Sequence, residues 1–175
     1  MNKRFPQMWD IISPHVDFSG MIVIDAGCGG GDFAVAVAQA GAKEVYAIDN
    51  NPDVAARLAL MCTGVYPTVF PVQDDINGWG IEREDYRPRT DSRKTILSCF
   101  SVLPYLKDPV KTLNVFREMA TIVLLEVQLI GDGPGTMNKQ ELTRLLWSIF
   151  EDVECLGKTI AKKDKDYGRH IWICR

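Results

Sequence analysis

Short apolar, β-branched runs alternate with amphipathic or alanine-rich runs along most of this chain, and that alternation sets the expected architecture. Residues 21–26 (MIVIDA) read as a buried strand. Residues 32–40 (DFAVAVAQA) favour a helix, with Gly41 as its stop. Residues 44–49 (EVYAID) predict a second strand. Asn51-Pro52-Asp53 then offers a capping side chain, a first-turn proline and an acid on the helix dipole, opening a helix to about Cys62. Residues 68–73 predict a third strand, and Pro71 within it predicts an edge position or a break, because proline cannot donate to a ladder.

Residues 94–100 predict the fourth strand and residues 121–128 the fifth, with a helix from Asp108-Pro109 to Met119 between them. Asn138 with Glu141 three positions on forms a capping-box signature for a helix over 139–150. Two last strands, 152–161 and 169–174, flank the charged segment Lys162–Gly168 and predict a hairpin. The order predicts an α/β fold: a doubly wound, seven-stranded, mostly parallel sheet with helices on both faces and a C-terminal antiparallel hairpin strand. The expectation is a single domain over residues 1–175. Residues 1–19 would be an N-terminal lid segment, with Phe5, Met8 and Trp9 as its apolar face.

Composition narrows the chemistry. The chain has 175 residues, 20 Lys plus Arg against 23 Asp plus Glu, and a net charge of -3. A whole-surface nucleic-acid footprint would be basic, so nucleic acid is not favoured as a partner. No apolar run approaches the roughly 18 residues of a membrane span. No apolar segment follows the basic residues near Met1, so no signal peptide is expected. The five cysteines are scattered without CxxC spacing, which points to a reducing, cytoplasmic setting. Only His15 and His170 are present, and no metal site is expected. The dense charge from Glu82 to Lys94 reads as a solvated connection.

The informative stretch is Ile22-Val-Ile-Asp-Ala-Gly-Cys-Gly-Gly-Gly-Asp32, which sets glycines at 27, 29 and 31 between a strand and a helix. Such a turn lets a ligand approach the main chain, and a helix N-terminus favours anionic or polar groups. A dinucleotide fingerprint from Gly27 would need glycine or alanine at position 32, which is Asp32. A phosphate-binding GxxxxGK[ST] string is absent. The loop reads instead as acid-x-Gly-x-Gly-x-Gly, from Asp25 to Gly31.

That pattern resembles the class I, Rossmann-like methyltransferases that use S-adenosylmethionine, over roughly residues 20 to 175. The resemblance implies the cofactor S-adenosylmethionine and a set of cofactor-side positions: Asp25, Gly27, Cys28, Gly29, Gly31, Asp49, Asn50, Asp75, Ile76, Cys99 and Phe100. It implies that Asp25 reaches the methionyl ammonium and that Asp49, ending the second strand, accepts from both ribose hydroxyls. Asp74 and Asp75 compete for the adenine amino group, and Asp75 is preferred because Ile76, whose N–H would meet the ring nitrogen, follows it. Cys28 reads as a small space-filling residue.

The acceptor would lie beyond the fourth and fifth strands, where Ser101, Tyr105, Glu126 and Gln128 are the polar residues. The Asn/Asp-Pro-Pro-aromatic motif of enzymes that methylate planar amino groups is replaced by Cys99-Phe100-Ser101-Val102, which disfavours that acceptor class. Cys99 follows Ser98 rather than proline, unlike the nucleophile of cytosine-5 methyltransferases. The glycine-rich segment Gly131–Gly135 would edge the acceptor site. The expected function is methyl transfer to an unidentified acceptor, a small molecule or a macromolecule brought by a partner. The transfer would be an in-line displacement with little acid–base apparatus. The alternative is a non-catalytic S-adenosylmethionine-binding subunit.

Overall fold

A computed structural model of the chain describes residues 4–79, 94–129, 137–160 and 169–175. The charged segment over 82–93, the Gly131–Gly135 segment and the connection over 162–168 lie outside the described residues.

The strands are β1 (Ile22–Ala26), β2 (Glu44–Asp49), β3 (Val69–Gln73), β4 (Thr95–Phe100), β5 (Ile122–Gln128), β6 (Val153–Thr159) and β7 (Arg169–Cys174). They form one seven-stranded sheet in the order β3-β2-β1-β4-β5-β7-β6. The first five are parallel to one another, and β7 runs antiparallel to both β5 and β6. Pro71 sits in β3 at one edge, where its missing N–H leaves no ladder bond unmade.

The helices are α1 (Phe5–Ile12), α2 (Asp32–Gln39), α3 (Pro52–Cys62), α4 (Pro109–Met119) and α5 (Lys139–Trp147). Side chains of α1, α2 and α3 pack on one face of the sheet with Val23, Ile96, Leu124 and Ile173. Those of α4 and α5 pack on the other with Ile24, Leu97, Leu125 and Trp172. Adjacent strand residues thus fall on opposite faces, as the two-residue strand period demands.

The local signals act as their chemistry dictates. Asn51 caps α3 by accepting from the Asp53 N–H at 3.0 Å. Asn138 and Glu141 close a reciprocal capping box on α5, at 3.0 and 2.8 Å. That helix ends at Trp147 rather than at 150. The Ile149 and Phe150 N–H groups turn back to the Leu146 carbonyl, which buries both side chains in a tight final turn.

α1 docks through a series of rings. Trp9 stacks on Phe18 at 5.6 Å, Phe33 meets Trp9 at 6.2 Å, and Phe33 meets Phe100 edge-on at 4.8 Å. Trp9 is therefore taken up by packing, whereas Phe5 and Met8 of the same helix line a cleft.

Candidate functional site

Strand order reverses at β1, so the carboxyl ends of β1 and β4 open a crevice at the switch point, where α/β sheets place ligands. The loop from Gly27 to Gly31 enters it with left-handed backbone at Gly27, Gly29 and Gly31. Side chains at the outer two positions would collide with the fold. A Cβ on Gly27 would lie 2.3 Å from Val102 Cγ2, and one on Gly31 2.4 Å from Leu58 Cδ1. A Cβ on Gly29 would meet open space.

Four of the loop's amides are spent inside the fold. Gly27 and Cys28 both donate to the Ile48 carbonyl, at 2.8 and 2.9 Å, and Gly31 donates to the Cys28 carbonyl. Gly29 N–H donates to Asp49 Oδ2 at 3.0 Å. What the loop presents is carboxylate. Asp25 on β1 is 2% exposed and lines the cleft. Its Oδ1 accepts from Ser98 Oγ at 2.8 Å. Its Oδ2 has no partner among the described residues. Burial pushes the Asp25 carboxyl up to about 7, the Ser98 bond partly opposes that, and the charge of Asp49 adds to it.

Two clefts flank the loop and share Gly27, Phe100 and Ser101. One, about 460 Å³, is lined by Asp49, Asn50, Asp74, Asp75, Ile76 and Tyr105 among others. Asp75 Oδ1 accepts from the Asn77 N–H at 2.9 Å, a bond that lowers the carboxyl. Asp74 Oδ2 accepts from the buried Trp79 Nε1 at 2.7 Å. The other cleft, about 550 Å³, runs from Asp25 and Cys28 past Phe100 to Ser101 and Glu126.

Of the residues expected from the sequence, Asp25, Gly27, Cys28, Gly29, Asp49, Asn50, Asp75, Ile76 and Phe100 line one or other cleft, and Gly31, turned against Leu58, lines neither. Cys99 is fully buried among Leu97 and Leu125 and lines neither cleft, because the strand period turns it to the face opposite Ser98 and Phe100. Burial first, then the Asp25 charge, push its thiol up to about 12. Tyr105 is 79% exposed and borders the Asp49 cleft, which also holds Ser101, and not the cleft lined by Asp25 and Glu126, because the turn Leu103–Tyr105 carries it outward. Gln128 lines neither cleft. Burial and the carboxylates of Asp25 and Asp49 push the Cys28 thiol up, so it offers no thiolate.

Sequence reasoning missed the cations. Arg4 from the start of α1 and Arg169 from β7 both reach Glu126, at 3.8 and 3.7 Å. Arg169 also donates to Ser101 Oγ, across 68 positions of sequence. Arg57 of α3 donates to the Gly29 carbonyl at 3.4 Å. Among the described residues no group of three or more His, Cys, Asp and Glu side chains suits a metal ion, and no helix is long and apolar enough to cross a membrane.

The methyltransferase domain family model matches residues 23–123. The chain is 32% identical over 114 residues to the ubiquinone biosynthesis O-methyltransferase of Stutzerimonas stutzeri, covering 64% of this chain and 44% of that protein. It is 26% identical over 183 residues to the tRNA U34 carboxymethyltransferase of Pseudomonas fluorescens, covering 91% of this chain. The chain thus spans 44% and 55% of the lengths of these two relatives. The magnesium protoporphyrin IX methyltransferase of Synechocystis PCC 6803, crystallised with bound S-adenosylmethionine, superposes with a TM-score of 0.69 at 17% identity, covering 98% of this chain and 79% of that one. At that identity the likeness is one of fold. With the family match covering more than half of its length, the chain belongs to the class I, Rossmann-like S-adenosylmethionine-dependent methyltransferases.

Proposed function

We propose that this chain transfers the methyl group of S-adenosylmethionine to an acceptor seated beside Ser101 and Glu126. The observation that carries the reading is the acidic glycine loop, four of whose amides are already spent. A pyrophosphate would need the loop amides, and those of Gly27, Cys28, Gly29 and Gly31 are already engaged. A cationic ligand suits the unpartnered Asp25 Oδ2 and the Asp49 carboxylate instead.

In this reading Asp25 accepts from the methionyl ammonium. Asp49 retains lone pairs for the two ribose hydroxyls, since each carboxylate oxygen accepts more than one bond. Asp75 takes the adenine amino group and the Ile76 N–H its ring nitrogen, with Asn50 beside them. Gly27, Gly29 and Phe100 form the walls. Bound there, the cofactor supplies a methyl group already activated on a sulfonium. The task left to the protein is to align the acceptor with that group and to exclude water, worth about 7–11 kcal/mol of barrier in well-oriented reactions. Glu126, held by Ser101 and two arginines, positions groups rather than moving a proton.

The relatives are named for unlike acceptors, so the acceptor atom is not carried over from them. Calorimetric titration with S-adenosylmethionine and, separately, with NAD tests the reading. Binding of the first and not the second supports it; NAD binding alone would overturn it. Binding without formation of S-adenosylhomocysteine in cell extract would leave a non-catalytic cofactor-binding subunit.

A further inference from the structure

Glu126 stands on β5, two strands from Asp25 with β4 between them. It is 3% exposed, yet it draws two guanidiniums from distant parts of the chain. Ser101 joins them, donating to Glu126 and accepting from Arg169. Ser101 holds φ at 63°, the one non-glycine residue with left-handed backbone among those described. A side-chain-bearing residue adopts that conformation at a cost, and such costs concentrate at ligand sites.

We propose that Arg169, with Ser101 and Arg4 beside it, forms an anion subsite that recognises a carboxylate on the methyl acceptor. The proposal rests on the methyltransferase reading and supplies the acceptor's chemical class. A guanidinium carries five N–H donors in a planar fork. Among the described residues the Arg169 side chain uses only Nη1, on Ser101 and Glu126. Nε and Nη2 have no partner among the described residues, and a carboxylate matches that fork with two parallel bonds. Burial and the charge of Arg4 both weigh against the Arg169 cation, with Glu126 offsetting only part of this. A further anion would relieve both effects.

The cofactor's own carboxylate is the competing anion, since Asp25, Arg4, Ser101 and Glu126 line one cleft. Neighbouring strands lie about 4.8 Å apart, so the backbones of Asp25 and Glu126 sit about 10 Å apart across the sheet while their side chains enter the same cleft. The ammonium and carboxylate of an amino-acid tail flank a single carbon. Weaker binding of the cofactor product by an Arg169 variant is therefore the result that would place the tail's carboxylate at Arg169. A monoanion also suits the subsite better than a doubly charged phosphate, which would meet Glu126, a like charge 3.7 Å from the same guanidinium.

Benzoate and benzamide, alike in shape and different in charge, test the subsite on protein saturated with S-adenosylhomocysteine. Titrations followed by protein NMR should show benzoate binding at least about ten-fold more tightly than benzamide. Arg169→Gln should abolish that preference, and Arg169→Lys, a point charge without the fork, should keep part of it. Equal affinity for the two compounds, or binding of neither, would overturn the subsite, and the wild type alone gives that answer. Weaker S-adenosylhomocysteine binding by Arg169→Gln would assign the anion to the cofactor tail and overturn it too. If S-adenosylhomocysteine fails to bind the wild type, the methyltransferase reading falls and takes the subsite with it. Absence of the benzoate preference in the wild type with S-adenosylhomocysteine bound, or its persistence in Arg169→Gln, strikes the subsite alone.

Discussion

Asp49 at the end of β2 accepts a hydrogen bond from the backbone N–H of Gly29, at 3.0 Å, so one carboxylate both ties the glycine loop to the sheet and faces the cleft. Its other oxygen accepts from the Asn51 N–H at 3.0 Å, which fixes the start of α3. Asp49→Ala removes the acceptor and loosens the loop together. Hydrogen bonds to a charged group are worth about 1.5–3 kcal/mol, so S-adenosylmethionine should bind about ten- to a hundred-fold more weakly. Asp49→Asn keeps one acceptor oxygen and should fall between. Calorimetric titration of the three proteins checks this, and equal affinity across them would remove Asp49 from the site.

Asp25 should give the protein a pH-dependent weakness. Its carboxyl ionises near 3.8 when free and near 7 in the fold. Between those values the folded state holds a proton that the unfolded state has released. Stability therefore falls as pH rises from about 4 to about 7 and levels off above. Three pKa units correspond to about 4 kcal/mol. Asp25→Asn removes this dependence and should be the more stable protein at pH 8, with little difference at pH 4. Urea denaturation of both proteins across that range is the measurement. A stability difference that does not vary with pH would mean that Asp25 does not titrate there.

The same carboxyl couples cofactor binding to protons. A cation placed against Asp25 favours its ionised form, so binding near pH 6 should release close to one proton, and affinity should decline as pH drops below 7. Calorimetry at pH 6 in two buffers of different ionisation enthalpy reads the proton count directly. Asp25→Asn should reduce it to near zero.

These properties were unevenly legible in the chain. The strands and caps were readable because their signals are local: Asn51-Pro52 carries its own cap, and Asn138 with Glu141 its own box. Asp25, Gly27, Gly29, Gly31 and Asp49 were readable because the loop binds them into one short pattern and its link to β2. Cys99 was misjudged although its parity with Leu97, against Ser98 and Phe100, already turned it toward the core. Glu126 was named from its place on the fifth strand, but its pairing with Arg4 and Arg169 was not readable. Arg4 comes to Glu126 from the start of α1, and Arg169 because β7 returns antiparallel beside β5, which sets it opposite Gln128 and near Glu126. Nor does spacing reveal that the loop amides turn toward Ile48 and Asp49.

Gly29 and Gly31 should separate binding from folding. A Cβ at Gly31 would press into Leu58, and with φ at 78° Gly31→Ala should lose about 2–4 kcal/mol of stability. Leu58→Ala opens that space, so the double variant should lose less than the two single losses added together. At Gly29 the added methyl meets no protein atom. Gly29→Ala should lose only about 1 kcal/mol for its left-handed backbone, while cofactor affinity drops because the methyl projects into the cleft. Denaturation midpoints and calorimetry on the same variants would show whether the two effects part in this way.

Asp74 and Asp75 adjoin in sequence and should fail in different ways. Asp74 accepts from Trp79 Nε1 at 2.7 Å, and Trp79 is buried against Phe116 of α4. Asp74→Ala leaves an indole N–H without that acceptor, at about 1–3 kcal/mol of stability. Asp75 is exposed and bonds only within its own turn, to Asn77. Asp75→Ala should therefore cost little stability and appear mainly as weaker binding of S-adenosylmethionine. Methylthioadenosine keeps the adenine and lacks the amino-acid tail. If Asp75 holds the adenine amino group, Asp75→Ala should weaken both ligands by the same factor, because the lost contact lies in the part they share. A variant that binds methylthioadenosine normally and S-adenosylmethionine poorly would move the adenine role to Asp74.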